Sequence, residues 1–160
     1  PVLSALLAAA ASPEAVERHG ETALHVAAAG GQAQAVELLL RYGAHIEAAT
    51  NDGRTALHKA MAAGHVPVAE LLLRHQASVE ARTKKGATVL HLAAAAGQAP
   101  VVRALLAMSA DVEAATENGS TALHLAASGG FEDVAEALLE AAASLGAVTD
   151  RGSTALHLAA

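Results

Sequence analysis

Nine histidines in 160 residues invite a metal-binding or catalytic reading first. Five of them, His25, His58, His91, His124 and His157, recur every 33 residues, each three positions after a threonine: Thr22, Thr55, Thr88, Thr121 and Thr154. Helices stacked at such a period lie about 8–10 Å apart, whereas zinc holds imidazole nitrogens at about 2 Å. One histidine per unit therefore makes a ladder, not a ligand cage. On a helix, residues three apart share a face, and hydroxyl and imidazole are complementary hydrogen-bonding groups, so each Thr is expected to bond its His. His19, His45, His65 and His75 fall at scattered places in the period and are read as surface or boundary residues. The chain has no HExxH, P-loop or GxSxG pattern. Gly30-Gly31 and Gly129-Gly130 end helices instead of opening them, the wrong end for a phosphate. Without any Cys there is no thiolate ligand, cysteine nucleophile or disulfide. The expectation is no catalytic residue, no metal and no cofactor.

The elements that position these residues repeat as strictly as the histidines. Thr22-Ala23-Leu24-His25 returns as Thr55-Ala56-Leu57-His58, Thr88-Val89-Leu90-His91, Thr121-Ala122-Leu123-His124 and Thr154-Ala155-Leu156-His157. Gly20, Gly53, Gly86, Gly119 and Gly152 precede the Thr by two positions, and Gly31, Gly64, Gly97 and Gly130 follow the His by six. Leu39-Leu40, Leu72-Leu73, Leu105-Leu106 and Leu138-Leu139 hold a further fixed place. No insertion breaks the period, so units of equal length should stack in one register. A 33-residue period with this phrase resembles the ankyrin-repeat family over the whole chain, with Ala or Val where that family carries Pro. The resemblance implies an all-α solenoid of stacked helix-turn-helix repeats with projecting hairpin turns. The frame gives one domain over 1–160: partial repeats at 1–16 and 149–160, and full repeats at 17–49, 50–82, 83–115 and 116–148.

Within a unit the residues dictate one order of elements. The turn Asn51-Asp52-Gly53-Arg54 uses Gly for left-handed dihedrals. Thr55 is expected as N-cap, its hydroxyl accepting a first-turn amide. A helix over about Ala56–Ala63 buries Leu57, Ala60 and Met61, and Gly64 stops it. A second helix over about Val66–His75 carries Val68, Leu71, Leu72 and His75 at helical spacing, with Glu70–Arg74 and Glu37–Arg41 as solvated i, i+4 pairs. Pro1, Pro67 and Pro100 share the opening turn of this helix, where a missing amide costs nothing, so Pro1–Ala9 reads as a second helix whose first is missing. That frame, and the lack of a basic leader, outweigh a signal-peptide reading of the opening stretch. Gln76, Ser109 and Ala142 stand where the family has Gly and only Gly43 keeps it, which argues for a natural sequence over a consensus design. Lys59 takes the place of Val26, Leu92, Leu125 and Leu158, which predicts a half-exposed position with the Lys stem over apolar surface. Apolar Leu3, Leu6, Leu7, Leu156 and Leu158 leave both ends without a polar cap, as expected of an excerpt from a longer array.

Composition narrows the partner. Hydrophobic residues make up 53% and aromatics 1%, so the core is Ala and Leu, suited to closely packed helices and not to a ligand cage. A net charge of −6 argues against nucleic acid, and no stretch approaches the roughly 18 apolar residues of a membrane span. The expected setting is cytoplasmic, with the nucleus as the alternative. By resemblance the binding residues lie on a concave face made of finger turns and first helices: Arg18, His19 and Glu21; Asn51, Asp52 and Arg54; Lys84, Lys85 and Ala87; Glu117, Asn118 and Ser120; Asp150, Arg151 and Ser153. Arg82, Lys84 and Lys85 form a basic centre where acidic residues of a bound peptide are expected, while Glu132, Glu136 and Glu140 form an acidic stripe. The expected function is a protein–protein interaction module binding another protein. The alternatives are a segment that self-assembles head to tail through its uncapped ends, and a regulatory segment of a larger enzyme or channel.

Overall fold

The structure, a computed structural model, describes Ala5 and residues 12–160. The helix expected over Pro1–Ala9 lies outside the described residues, Ala5 apart. Nine helices and no strand occur among the described residues: α1 Ala23–Ala29, α2 Ala33–Arg41, α3 Ala56–Ala62, α4 Val66–Arg74, α5 Val89–Ala95, α6 Ala99–Ala107, α7 Ala122–Gly129, α8 Glu132–Glu140 and α9 Ala155–Ala159. None is long and apolar enough to cross a membrane.

The chain divides into two compact units, Pro1–Ser78 and Val79–Ala160. In the first, α1 packs on α3 and α2 on α4, while α1–α2 and α3–α4 form helix pairs. In the second, α5, α7 and α9 stack in sequence, α6 packs on α8, and α5–α6 and α7–α8 pair. These are stacked helix-turn-helix repeats. The helices are short, seven to nine residues in the complete pairs, too short to persist alone in water, so packing must hold them. Leu24, Leu39, Leu57, Met61 and Leu72 are buried in the first unit, and Leu90, Leu105 and Leu138 in the second. Alanine fills the spaces between: Ala28, Ala56, Ala60, Ala69, Ala94, Ala122 and Ala126 have no exposed surface.

Helix α4 ends at Arg74, and His75 is its C-cap, exposed as a boundary residue; Val68, Ala69 and Leu72 are the buried stripe, with Leu71 only half-buried. One expectation for the second helices is corrected. Glu37–Arg41 and Glu70–Arg74 form no ion pair; among the described residues the pairs are Arg54–Asp52 at 2.9 Å and Lys59–Glu21. On an exposed helix face two long side chains lose rotamer freedom for little Coulomb gain, whereas Lys59 and Glu21 meet in a half-buried place.

Each second helix ends in a left-handed residue, and three of the four are not glycine: Gln76, Ser109 and Ala142 have φ of 71°, 64° and 66°. Their Cβ atoms press on the following carbonyl there, a strain of about 1–2 kcal/mol. At the ends of α1 and α5 the demand is stricter, whereas Gly64 and Gly130 after α3 and α7 have open space at their Cβ positions. A Cβ on Gly31 would lie 2.8 Å from the His65 ring, and one on Gly97 2.7 Å from the Phe131 ring, and both glycines have positive φ. The same substitution should therefore act oppositely at the two places. Urea denaturation should show Gln76→Gly, Ser109→Gly and Ala142→Gly each stabilising by about 0.5–1 kcal/mol, the relief of strain less the added chain entropy. Gly97→Ala should destabilise by at least about 1 kcal/mol. A loss of stability in all three Gly variants would contradict the strain.

Candidate functional site

The turns before the first helices share one backbone design. Thr50 N donates to Arg54 O at 2.9 Å and Gly53 N to Thr50 O at 2.9 Å, and the same two bonds close the turns beginning at Glu17, Thr83, Thr116 and Thr149. The threonine hydroxyls at 50, 83, 116 and 149 add a second tie, accepting the amide four residues on at 3.0–3.3 Å. Neighbouring turns are then joined by backbone: Asn51 N to His19 O at 3.0 Å in the first unit, and Glu117 N to Lys85 O at 3.2 Å and Asp150 N to Asn118 O at 3.1 Å in the second. Each row of fingers is rigid for this reason.

The phrase residues anchor the fingers to the helices. Each Thr stands at the N-cap in an extended conformation. Nδ1 of His25 accepts the Thr22 amide at 3.1 Å and contacts Thr22 Oγ1 at 2.9 Å. His58 with Thr55, His91 with Thr88, His124 with Thr121 and His157 with Thr154 repeat the arrangement, with amide distances of 3.2–3.3 Å. Because a backbone N–H can only donate, Nδ1 must be the bare nitrogen and the hydroxyl must donate to it. Nε2 therefore carries the proton. From His25 it points to Arg54 O at 3.0 Å, from His91 to Ser120 O at 3.0 Å, and from His124 to Ser153 O at 3.1 Å. The Thr hydroxyl faces the amide of its histidine in a capping box, at 3.4 Å for Thr154, and the imidazole takes the Thr amide in return.

The candidate binding residues separate into two sets. In the first unit Arg18, His19, Asn51 and Asp52 are exposed, while Glu21 and Arg54 are half-buried. Much of their charge is satisfied internally: Asp52 pairs with Arg54 and accepts from Thr50, and Glu21 holds Lys59. The hydrogen bond from Lys59 lowers the Glu21 pKa, and that from Thr50 lowers the Asp52 pKa. In the second unit Lys85, Ala87, Thr116, Glu117, Asn118, Ser120 and Leu125 of α7 line one groove of about 440 Å³. Lys84, Asp150 and Arg151 are exposed outside it, Ser153 is half-buried, and Ser120 is itself buried with its carbonyl taken by His91. Arg82 is removed from the basic centre as a free cation: its Nη1 donates to Gly86 O at 3.0 Å and Ala115 O at 2.6 Å, fastening the finger. The acidic stripe lies with Asp133, Ala135 and exposed Leu139 along a shallow depression on α8. Among the described residues no group of three or more His, Asp or Glu could hold a metal ion.

Two recurring letters were not singled out from the sequence. Thr50, Thr83, Thr116 and Thr149 are one; Glu14, Glu47, Glu80 and Glu113 are the other. Each of these carboxylates accepts the amide 31 residues on, at His45, Ser78, Asp111 and Ser144, at 2.7–2.9 Å. Their period was the available signal, masked because Glu in a polar linker reads as solvated surface.

A family model described as ankyrin repeats matches the chain in three overlapping copies, over residues 1–83, 47–116 and 90–160. No curated protein matches it.

The buried imidazole of His91 makes stability depend on pH. Burial pushes the His91 imidazole pKa below its ordinary value of 6.5. The neutral form is thus favoured in the folded state, and its contribution is complete above about pH 6.5 and shrinks as pH falls below it. Urea midpoints should drop between pH 7.5 and 5.5. His91→Asn should be less stable at pH 7.5 by about 2–3 kcal/mol, from broken buried hydrogen bonds, and should show a shallower pH slope. An equal slope in variant and wild type would refute the assignment.

Proposed function

The chain belongs to the ankyrin-repeat family, whose members are generally protein–protein interaction modules, and from that premise we propose that it grips a partner protein along its finger turns and first helices. The observation that carries this reading is the stitching of neighbouring fingers by Asn51 N–His19 O, Glu117 N–Lys85 O and Asp150 N–Asn118 O. A loop locked this way loses little entropy when a partner arrives, and it presents side chains that differ from unit to unit while the framework stays constant. Arg18, His19, Glu21, Asn51, Asp52 and Arg54 serve in the first unit, and Lys84, Lys85, Glu117, Asn118, Ser120, Asp150 and Arg151 in the second. The reading assigns no catalytic residue and no cofactor, and a cytoplasmic or nuclear setting suits it.

A second reading, head-to-tail self-assembly, is supported by exposed apolar side chains at the last repeats: Leu145 is 65% exposed, Val148 55%, Leu156 78% and Leu158 37%. Such a heterologous contact would add molecules in an open file. A further repeat of a longer array would cover the same residues.

Photo-crosslinking separates these readings. A photoreactive residue at Asn51, Lys84 or Asp150 in the full chain should give adducts with another protein, and one at Glu37 or Arg103 on the second helices should give few. Equal yields from both surfaces would remove the finger face from the reading. Light scattering over rising concentration should show a constant mass, and a mass that climbs without limit would favour assembly.

A further inference from the structure

We propose that the groove of the second unit receives a short extended segment of a partner protein in which an aspartate or glutamate stands beside an aliphatic residue, a proposal that rests on the interaction-module reading. Leu125, half-buried, lies with Ala87 along the groove and offers apolar surface there. An aliphatic side chain placed on them removes apolar area of both partners from water. This unit has Leu at 92, 125 and 158, where the first unit has Val26 and a charged Lys59 held by Glu21.

Charge fixes the neighbour of that aliphatic residue. On the fingers of the first unit, Arg54 is paired with Asp52. Arg82, outside the groove lining, is fastened to Gly86 O and Ala115 O. Lys84 and Lys85 are exposed, and among the described residues neither side chain has an ion-pair or hydrogen-bond partner. Lys85 and Glu117 are the charged side chains that line the groove, and Lys84 adds a second exposed cation on the Lys85 finger. A partner carboxylate gains at Lys85, with Lys84 beside it, and a partner cation gains at Glu117. In a chain with a net charge of −6, the adjacent cations Lys84 and Lys85 favour an acidic segment and help to set its register. Asn118 uses Oδ1 to accept from Thr116 and Ser120, which leaves its NH2 to donate to a main-chain carbonyl of the segment. The exposed ion pair supplies selectivity more than affinity.

A random linear-peptide display library selected on the full chain tests this, with enriched peptides remade and measured by fluorescence anisotropy. Acidic–aliphatic peptides should be enriched. Lys84→Glu/Lys85→Glu should weaken them about tenfold or more, Leu125→Ser should do the same, and raised salt should weaken them further. Peptides with the acid replaced by lysine should regain binding to the Lys84→Glu/Lys85→Glu variant, a rescue that a merely unfolded variant cannot give. Enriched peptides that are basic or neutral, lose binding with Leu125→Ser and ignore Lys84→Glu/Lys85→Glu would overturn the acidic partner while sparing the groove. Peptides indifferent to all three substitutions, or no enrichment at all, would overturn the proposal outright. Finger-selective crosslinking would then still support the interaction module by itself.

Discussion

A neutral imidazole that accepts on one side and donates on the other is the interaction on which the remaining structure depends. Nδ1 accepts a hydrogen bond from the Thr amide at the start of its own helix, and Nε2–H donates one to a carbonyl 29 residues further along, in the next finger. The ring is buried, so water cannot replace either bond, and a protonated ring would set N–H against N–H at Nδ1. This one side chain joins a helix start to a finger. It works only if every unit has the same length, which is why the period admits no insertion.

Other recurring side chains meet the same kind of need. Turns and linkers leave backbone amides that no helix satisfies, and an unsatisfied amide away from water costs about as much as a lost hydrogen bond. The finger threonines take one such amide per unit, and Glu14, Glu47, Glu80 and Glu113 take another in the linkers. With the framework fixed by letters that repeat, those that do not repeat are free to vary. The two units differ in that remainder. The first neutralises much of its finger charge internally, and the second keeps Lys84 and Lys85 beside a half-apolar groove.

Close packing sets the limits of variation. Alanine between helices and glycine beneath the His65 and Phe131 rings let the repeats approach. The left-handed ends of the second helices are more forgiving, since Gly43 there has nothing near its missing Cβ. Gln76, Ser109 and Ala142 accordingly meet backbone strain without a clash. Rigidity survives that strain because the finger and histidine bonds hold the geometry from other directions.

The sequence by itself determined the period, the helical pairs and the membership of Thr and His in one bonded framework, because spacing along a helix fixes which residues share a face. It also placed the candidate residues on the fingers. Only the tertiary structure decided which of them remain available. Asp52 with Arg54, Glu21 with Lys59, and Arg82 with two carbonyls are partnerships across turns and repeats, and composition counts those charges as if all were free. The helix-face pairs Glu37–Arg41 and Glu70–Arg74 show the converse. Their spacing permits a contact that solvent competes away, since at the surface the entropy of long side chains weighs as much as the attraction between them.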